Sequence, residues 1–418
     1  MARPEHDFMH IAFISQYFYP ESFSNNSIAR HLVHMGHSVD AVTCVPNYPA
    51  GTFSPGYSNR LRRQEVWEGV HIFRALTVPR GKSAIRLMLN YLLYPIAASW
   101  TLSRRLRRRP DVSFVSMPSP LFQAFAGITL KWRKAVPCVY WVQDIWPESA
   151  TYTFGIRSPL IVRPLNWICG WLYRQADIVM VQSAAFPAMI ERFGVDASRI
   201  RILPNTAPDN FKPIAPEDAP AEAHLVPQEG FRLMFAGNIG ESQDFDTLIA
   251  AAALLRDRID LTWVIIGSGR DDERVRRVIT AHGLTDRFRF LGRHEEEQMP
   301  YFFSHADAMI VSLKDSPIFA LTVPYKVQCY MACGKPLIAS LNGEGARIIS
   351  EAGAGLVAPA STPHLLAEAI TRMMDMPLAQ RNEMAERSRG YFDENYSPSV
   401  VYGRLEQTLS EAADTQAS

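Results

Sequence analysis

Apolar runs of about six residues recur along the chain, with more polar, helix-length stretches between them. In the first half they are HIAFIS (residues 10–15), VDAVTC, DVSFVS, CVYWV, DIVMVQ and RIRIL. The second half restarts the series with FRLMFAG, LTWVIIGSG, RFRFLG, ADAMIVSL, KPLIAS and GLVAP. Runs that stay apolar instead of alternating belong to strands buried on both faces, the habit of parallel sheets covered by helices. The pattern therefore predicts an α/β protein with two doubly wound, Rossmann-like parallel-sheet domains. Such sheets bind ligands beyond the carboxyl ends of their strands, so the two domains are expected to face a shared cleft. Ser24 and Gly36 are the expected N-cap and stop of the first helix.

At 418 residues the chain exceeds one typical core and suits two domains of roughly 200 residues. The break falls in DNFKPIAPEDAPAEAHLVPQEG (209–230), which is rich in Pro and Ala and carries neither period. It separates an N-terminal domain over 1–208 from a C-terminal domain over 231–390. Residues 391–418 begin helical and end polar, and are expected to pack back toward the N-terminal domain.

Charge changes this picture. The net charge is +1, yet residues 1–206 hold 23 Lys and Arg against 12 Asp and Glu, and the remainder holds 20 against 30. A basic half points to an anionic partner. Within it, LMLNYLLYPIAASWTLS (87–103) runs into SRRLRRRP, with Arg104, Arg105, Arg107, Arg108 and Arg109. The segment IRSPLIVRPLNWICGWLYRQ (156–175) mixes Trp167, Trp171 and Tyr173 with Arg157, Arg163 and Arg174. Each is either a core helix with a solvated basic end or a helix lying on anionic lipid, and two in one half favour a membrane surface, through 87–109 and 156–175. Clustering with lipid-type aromatics argues against nucleic acid. Five cysteines without a CxxC pair suit a reduced compartment, and MARPEHD lacks the apolar core of a signal peptide. The expected location is cytoplasmic, at the inner face of the cell membrane.

Candidate chemistry sits at strand ends. FAGNIGE places Gly237, Asn238 and Gly240 where a strand meets a helix, and GSGRDD brings Gly267 and Gly269 to the next. LTVPYK sets Pro324 at a helix start with Lys326 beside the free N–H groups, a site for a diphosphate. In LNGEGAR, Glu344 between Gly343 and Gly345 could accept sugar hydroxyls or be an exposed turn acid. In the first half SQYFYPE, PNYPAG and VQDIWPES follow strands and suggest a rigid aromatic wall for a sugar or lipid head group. Asp144 and Glu148 are the acids nearest that wall, as catalytic groups or as structural acceptors. Asp244 and Asp246 suit an acidic first helical turn better than a metal pair. His31, His34 and His37 suit a solvated face, and Cys329 with Cys333 suits inert packing.

The motifs QYFYPE, PNYPAG, VQDIWPES, ILPN, FAGNIG, VIIGSG, VPYKVQCYMACGKPLIAS and NGEGARIISEAGAGLV resemble those of the family-four retaining glycosyltransferases of the GT-B fold. More narrowly, the chain looks like the branch of L-fucosamine transferases of bacterial surface-polysaccharide synthesis. The resemblance implies a nucleotide-sugar donor, UDP-linked, in the C-terminal domain, with no cofactor and no metal. It implies a sugar or lipid-linked sugar acceptor at the N-terminal domain, a transferred N-acetylated amino or deoxyamino hexose, and retention of anomeric configuration. O-antigen or glycolipid synthesis is the expected setting. Donor phosphate takes the acceptor proton in such chemistry, so no protein base is obligatory. The expected donor contacts are Gly237, Asn238, Gly267, Arg293, Tyr325, Lys326, Gly343, Glu344 and Gly345. The expected acceptor contacts are Gln16, Tyr17, Asn47, Tyr48 and Asp144, with Asp144 and Lys326 as the catalytic pair.

The chain departs from the wider family in two places. Leu321 and Cys329 stand where a Glu-x7-Glu pair is usual, and Asn238 stands in a segment that usually supplies an Arg and a Lys. Tyr325 also replaces the serine of the branch's PSK. Lys326 is expected to replace the diphosphate clamp and Glu344 the ribose acceptor. Two other readings share the fold: a nucleotide-sugar epimerase, which needs ring-facing acids, and a protein that kept the fold and lost the site.

Overall fold

A computed structural model describes residues 8–81, 83–106, 108–220, 223 and 225–415. The opening heptapeptide, Lys82, Arg107 of the basic run, three positions of the Pro/Ala segment (221, 222 and 224) and the last three residues lie outside that description. The apolar runs are strands. In the first half they are β1 (His10–Ile14), β2 (Ser38–Cys44), β3 (Gln64–Trp67), β4 (Val70–Ala75), β5 (Val112–Met117), β6 (Cys138–Val142), β7 (Ile178–Val181) and β8 (Ile200–Ile202). In the second they are β9 (Phe231–Ala236), β10 (Leu261–Ile266), β11 (Phe288–Gly292), β12 (Ala308–Ser312), β13 (Leu337–Ser340) and β14 (Gly355–Ala358). Six helices matter below: α1 (Ser24–His34), α2 (Ala84–Arg105), α3 (Ala124–Lys134), α4 (Pro159–Gln175), α5 (Tyr325–Ala332) and α6 (Glu344–Glu351). A seventh, α7 (Pro398–Asp414), ends the described chain.

The chain divides into two units, one running to Pro204 and resuming at Tyr402, the other spanning Asn205–Val401. Among the described residues the first unit holds one sheet in the order β3-β4-β2-β1-β5-β6-β7-β8. Its pairs are parallel except β3 with β4. That antiparallel edge hairpin departs from the all-parallel expectation. Its outer strand alternates between exposed and half-buried residues, so it lacks the continuous apolar signal of a buried strand. The second unit holds β11-β10-β9-β12-β13-β14, with parallel pairs throughout. Strand order reverses beside β1/β5 in the first sheet and beside β9/β12 in the second, the two crevices where open α/β sheets take ligands.

Three other expectations change. The 209–230 segment is not a free linker: Phe211, Ala219, Ala223 and Val226 are buried in the core of the second unit. Phe23, not Ser24, holds the N-cap position of α1. The three histidines do not share a solvated face. His37 is buried, accepting from the Met9 amide at 3.1 Å and meeting Glu406 of α7 at 3.0 Å, and His31 packs against Tyr402.

Among the described residues no helix is long and apolar enough to cross a membrane. Helix α2 instead carries two apolar stripes. Tyr94, Ala98 and Leu102 are buried, whereas Ile85, Met88, Leu92, Ile96 and Trp100 are exposed at helical spacing. Neighbouring α3 and α4 add exposed Trp132 and Trp167, with the Trp171 ring 5.9 Å from that of Trp132. Surfaces of this kind mark a docking face more often than chance exposure.

Candidate active site

In the second unit, the reversal point is built around α5. Tyr330, buried in that helix, donates its phenol O–H to the Ala236 carbonyl at 3.0 Å and accepts from the Ala236 amide at 2.9 Å. These bonds fix α5 against the carboxyl end of β9. One turn earlier on the same face, Lys326 is thereby delivered to Gly237. Its ammonium lies 3.9 Å from the Phe235 ring centroid and 2.5 Å from the Gln243 side-chain oxygen. Burial pulls its pKa down to about 7. Among the described residues no carboxylate pairs with it, so its charge is uncompensated. A side chain at Gly237 would put its Cβ 3.3 Å from that ammonium. The open space above Gly237 is thus bounded by a cation, in a unit where α5 opens with the amides of Tyr325 and Lys326, the Val327 amide being spent on the Pro324 carbonyl at 2.8 Å. Lys335 at the other end of α5 differs: its ammonium is spent on the Ser304 and Ala306 carbonyls.

The other expected donor residues divide into reachable groups and braces. Asn238, Arg293 and Tyr325 are exposed, and Arg293 has no partner among the described residues. Gly267 and Gly343 serve close backbone approach: a Cβ would fall 1.9 Å from the Gly237 carbonyl oxygen at the first and 1.9 Å from that of Ala320 at the second. Gly345 is buried against Pro324. Glu344 is buried and clasped by Arg347, at 3.1 and 3.0 Å, so it reaches a ligand only by giving up that fork. Asp244 accepts from Thr247 and Ser361, and Asp246 pairs with Arg274.

Three donor-side residues had no signal as site residues in the sequence reading. Gln243 and Tyr330 act through Lys326. Glu296, from the acid run HEEEQ, receives the Tyr325 hydroxyl at 3.3 Å, and burial raises its pKa. Its charge also helps raise the Cys329 thiol, the residue that the family resemblance aligns with an acid. The spacing of four between Lys326 and Tyr330 was the one available clue.

In the first unit, the loop after β1 brings Tyr17 onto Phe23 and Tyr48, with ring centroids 5.1 and 5.8 Å apart. Tyr17 is buried and Tyr48 is exposed. Gln16 and Asn47 are corrections. Gln16 is fully buried, bonded to Gln123 and Asn90. Asn47 is buried too, donating to Val45 O and accepting from the Arg80 amide, so both residues brace loops and cannot meet an acceptor. Asp144 is half-buried and makes no hydrogen bond among the described residues, and burial raises its pKa to about 6. Glu148 is paired with Arg192. Arg80 and Tyr91, which no motif suggested, stand beside Tyr17.

Comparison with known proteins follows the two units. The model of the "Glycosyl transferase 4-like domain" matches residues 24–206, and that of "Glycosyl transferases group 1" matches residues 218–391. The 2-deoxystreptamine glucosyltransferase of Streptomyces kanamyceticus is 24% identical over 367 residues, 84% of this chain and 91% of its own. A glycosyl transferase of Escherichia coli K12 assigned to colanic acid biosynthesis, WcaI, is 24% identical over 316 residues, 72% of this chain and 75% of its own. Sucrose-phosphate synthase of Thermosynechococcus elongatus superposes with a TM-score of 0.77 at 18% identity, covering 98% of this chain and 100% of that one. The UDP-glucose complex of HepE from Anabaena gives a TM-score of 0.69 at 16% identity, covering 96% and 100%.

Proposed function

Because the chain belongs to the GT-B glycosyltransferases of the family-four type, we propose that it moves a hexose, with retention, from a nucleoside diphosphate to a sugar acceptor. The observation that carries the donor half is Lys326: a cation without a carboxylate, at a helix start, beside the bare backbone of Gly237 at the reversal of the sheet. A diphosphate placed there would restore the ammonium's charge and meet the free N–H groups of α5. UDP is the proposed nucleotide, in keeping with the ligand of the HepE complex. Glu296 and Arg293 border the same strand ends, and Glu296 is the proposed partner for the ribose hydroxyls, with Glu344 as the alternative.

The chemistry proposed needs no metal and no obligatory protein base. A donor phosphate oxygen takes the acceptor proton while the leaving diphosphate is stabilised by Lys326 and the α5 N-terminus. Asp144 would orient the acceptor hydroxyl. The transferred sugar is proposed to be an N-acetylated amino or deoxyamino hexose of the L-fucosamine kind. Surface-polysaccharide synthesis is the proposed setting, as the likeness to a colanic acid enzyme supports. The acceptor is proposed to be drawn from the inner face of the cell membrane, because α2, α3 and α4 leave an apolar stripe exposed among basic residues. Calorimetric titration with UDP tests the donor site: the wild-type chain should bind it, and Lys326→Met should bind at least about tenfold more weakly. Equal binding by the two proteins would remove the proposal.

A further inference from the structure

We propose that Arg80 is the recognition residue for a phosphate group on the acceptor, which makes the acceptor a phosphorylated sugar or sugar lipid. The inference rests on the glycosyl-transfer reading for the word acceptor and on first-unit geometry for everything else. Arg74 and Arg192 of the same unit are paired with Glu65 and Glu148, whereas Arg80 has no carboxylate among the described residues. What surrounds its guanidinium is phenolic. The ring centroids of Tyr48 and Tyr91 lie 5.4 and 6.0 Å away, and Nη1 donates to the Tyr17 hydroxyl at 3.4 Å.

The cation is held there by a braced loop. Its amide donates to Asn47 Oδ1 at 3.0 Å, Asn47 in turn donates its own amide to Glu21 at 2.6 Å, and the Gly81 amide donates to the Gly51 carbonyl at 2.9 Å. The guanidinium keeps its remaining N–H donors clear of any carboxylate among the described residues, and its planar fork suits the oxygens of a phosphate. The place is also right. Tyr17 follows β1 and Ser119 follows β5, so both flank the reversal of the first sheet, and both act on the Tyr91 phenol. Tyr91 belongs to α2, and the exposed Met88 and Leu92 flank it in sequence on that helix. A head-group phosphate on Arg80 would therefore leave its lipid chain beside an apolar stripe.

The test is calorimetry on the full chain with three probes: an N-acetylhexosamine 1-phosphate, the same sugar as a diphosphate on a short isoprenyl chain, and its neutral methyl glycoside. Both phosphorylated probes should bind at least about tenfold more tightly than the glycoside. Arg80→Gln should erase that preference, Arg80→Lys should restore part of it, and Arg60→Gln, on an exposed arginine of the same half, should keep it. UDP affinity should be equal in all four proteins. A tighter isoprenyl probe identifies a lipid-linked acceptor, and equal phosphorylated probes identify a soluble sugar phosphate. A glycoside that binds as well as the phosphates, or an Arg80→Gln protein that keeps the preference, overturns the proposal. Phosphate binding through Arg80 without transfer from any donor would refute the transfer reading and leave this site standing.

Discussion

The Lys326 ammonium donates to the Gln243 side-chain oxygen across 2.5 Å, so an amide dipole stands where a carboxylate would have neutralised the charge. Burial holds that ammonium at about 7, so its charged form is complete below that value and is lost above it. A bound diphosphate raises the pKa again, and binding must then take up a proton. UDP-glucose, whose diphosphate does not titrate in this range, should bind with an affinity that falls by up to about tenfold per pH unit above 7. Calorimetry in two buffers of different ionisation enthalpy reads the proton uptake. Lys326→Met should show neither effect.

Two acids compete for the ribose, and their surroundings differ. Glu344 is already forked by Arg347, whereas Glu296 holds only the Tyr325 hydroxyl at 3.3 Å. Glu296→Gln should weaken UDP binding by about tenfold and leave deoxyuridine diphosphates, which lack the 2′-hydroxyl, less affected. Glu344→Gln should lower thermal stability by about 1 kcal/mol and change donor affinity little. Measured dissociation constants with the two diphosphates separate the cases, and the reverse order would move the ribose site to the glycine loop.

The proposed role of Asp144 predicts the acid side of the pH profile. Burial raises its carboxyl to about 6, so the folded chain holds a proton there that the unfolded chain releases near 4. That contribution to stability is complete below about 4 and is lost as pH rises through about 6. Transfer should therefore rise through about 6 with Asp144 in kcat/KM for the acceptor, whereas the fall through about 7 with Lys326 belongs to kcat/KM for the donor, whose binding raises that ammonium's pKa. Asp144→Asn should remove the rising limb while raising Tm at pH 8. A mutant profile that keeps the limb would assign it elsewhere.

The exposed stripe of α2 predicts salt-sensitive binding to vesicles containing phosphatidylglycerol and little binding to neutral phosphatidylcholine. Replacing Ile96 and Trp100 by Asp should abolish flotation with anionic vesicles and leave UDP binding intact. Flotation unchanged by that pair would mean the stripe does not face lipid.

The strands were legible because residues such as Val139–Val142 and Ala308–Val311 stay apolar without alternation, which only two-sided burial explains. The β3/β4 edge was not, since Gln64–Trp67 alternate between exposed and half-buried positions. Composition misled over 209–230, where Phe211 and Val226 reach the core from among prolines. At the candidate site, the Pro-started helix and its cation were legible in LTVPYK, and the structure places Lys326 beside Gly237. Tyr330 was not, because its partner is the backbone of Ala236. Gln16 and Asn47 looked like loop ligands, yet the Gln16 side chain donates to Asn90 and the Asn47 side chain accepts from the Arg80 amide, roles that show only when partners 74 and 33 residues away are in place.

The most direct measurement is mass spectrometry of a panel of UDP-sugars incubated with the full chain, with and without membrane extract. Free UDP should form only when extract is present, with the sugar recovered on a lipid-linked product in the donor's anomeric configuration. Lys326→Met should lose that product. An epimerised donor formed without extract, or a donor panel left untouched in both arms, would contradict the transfer reading.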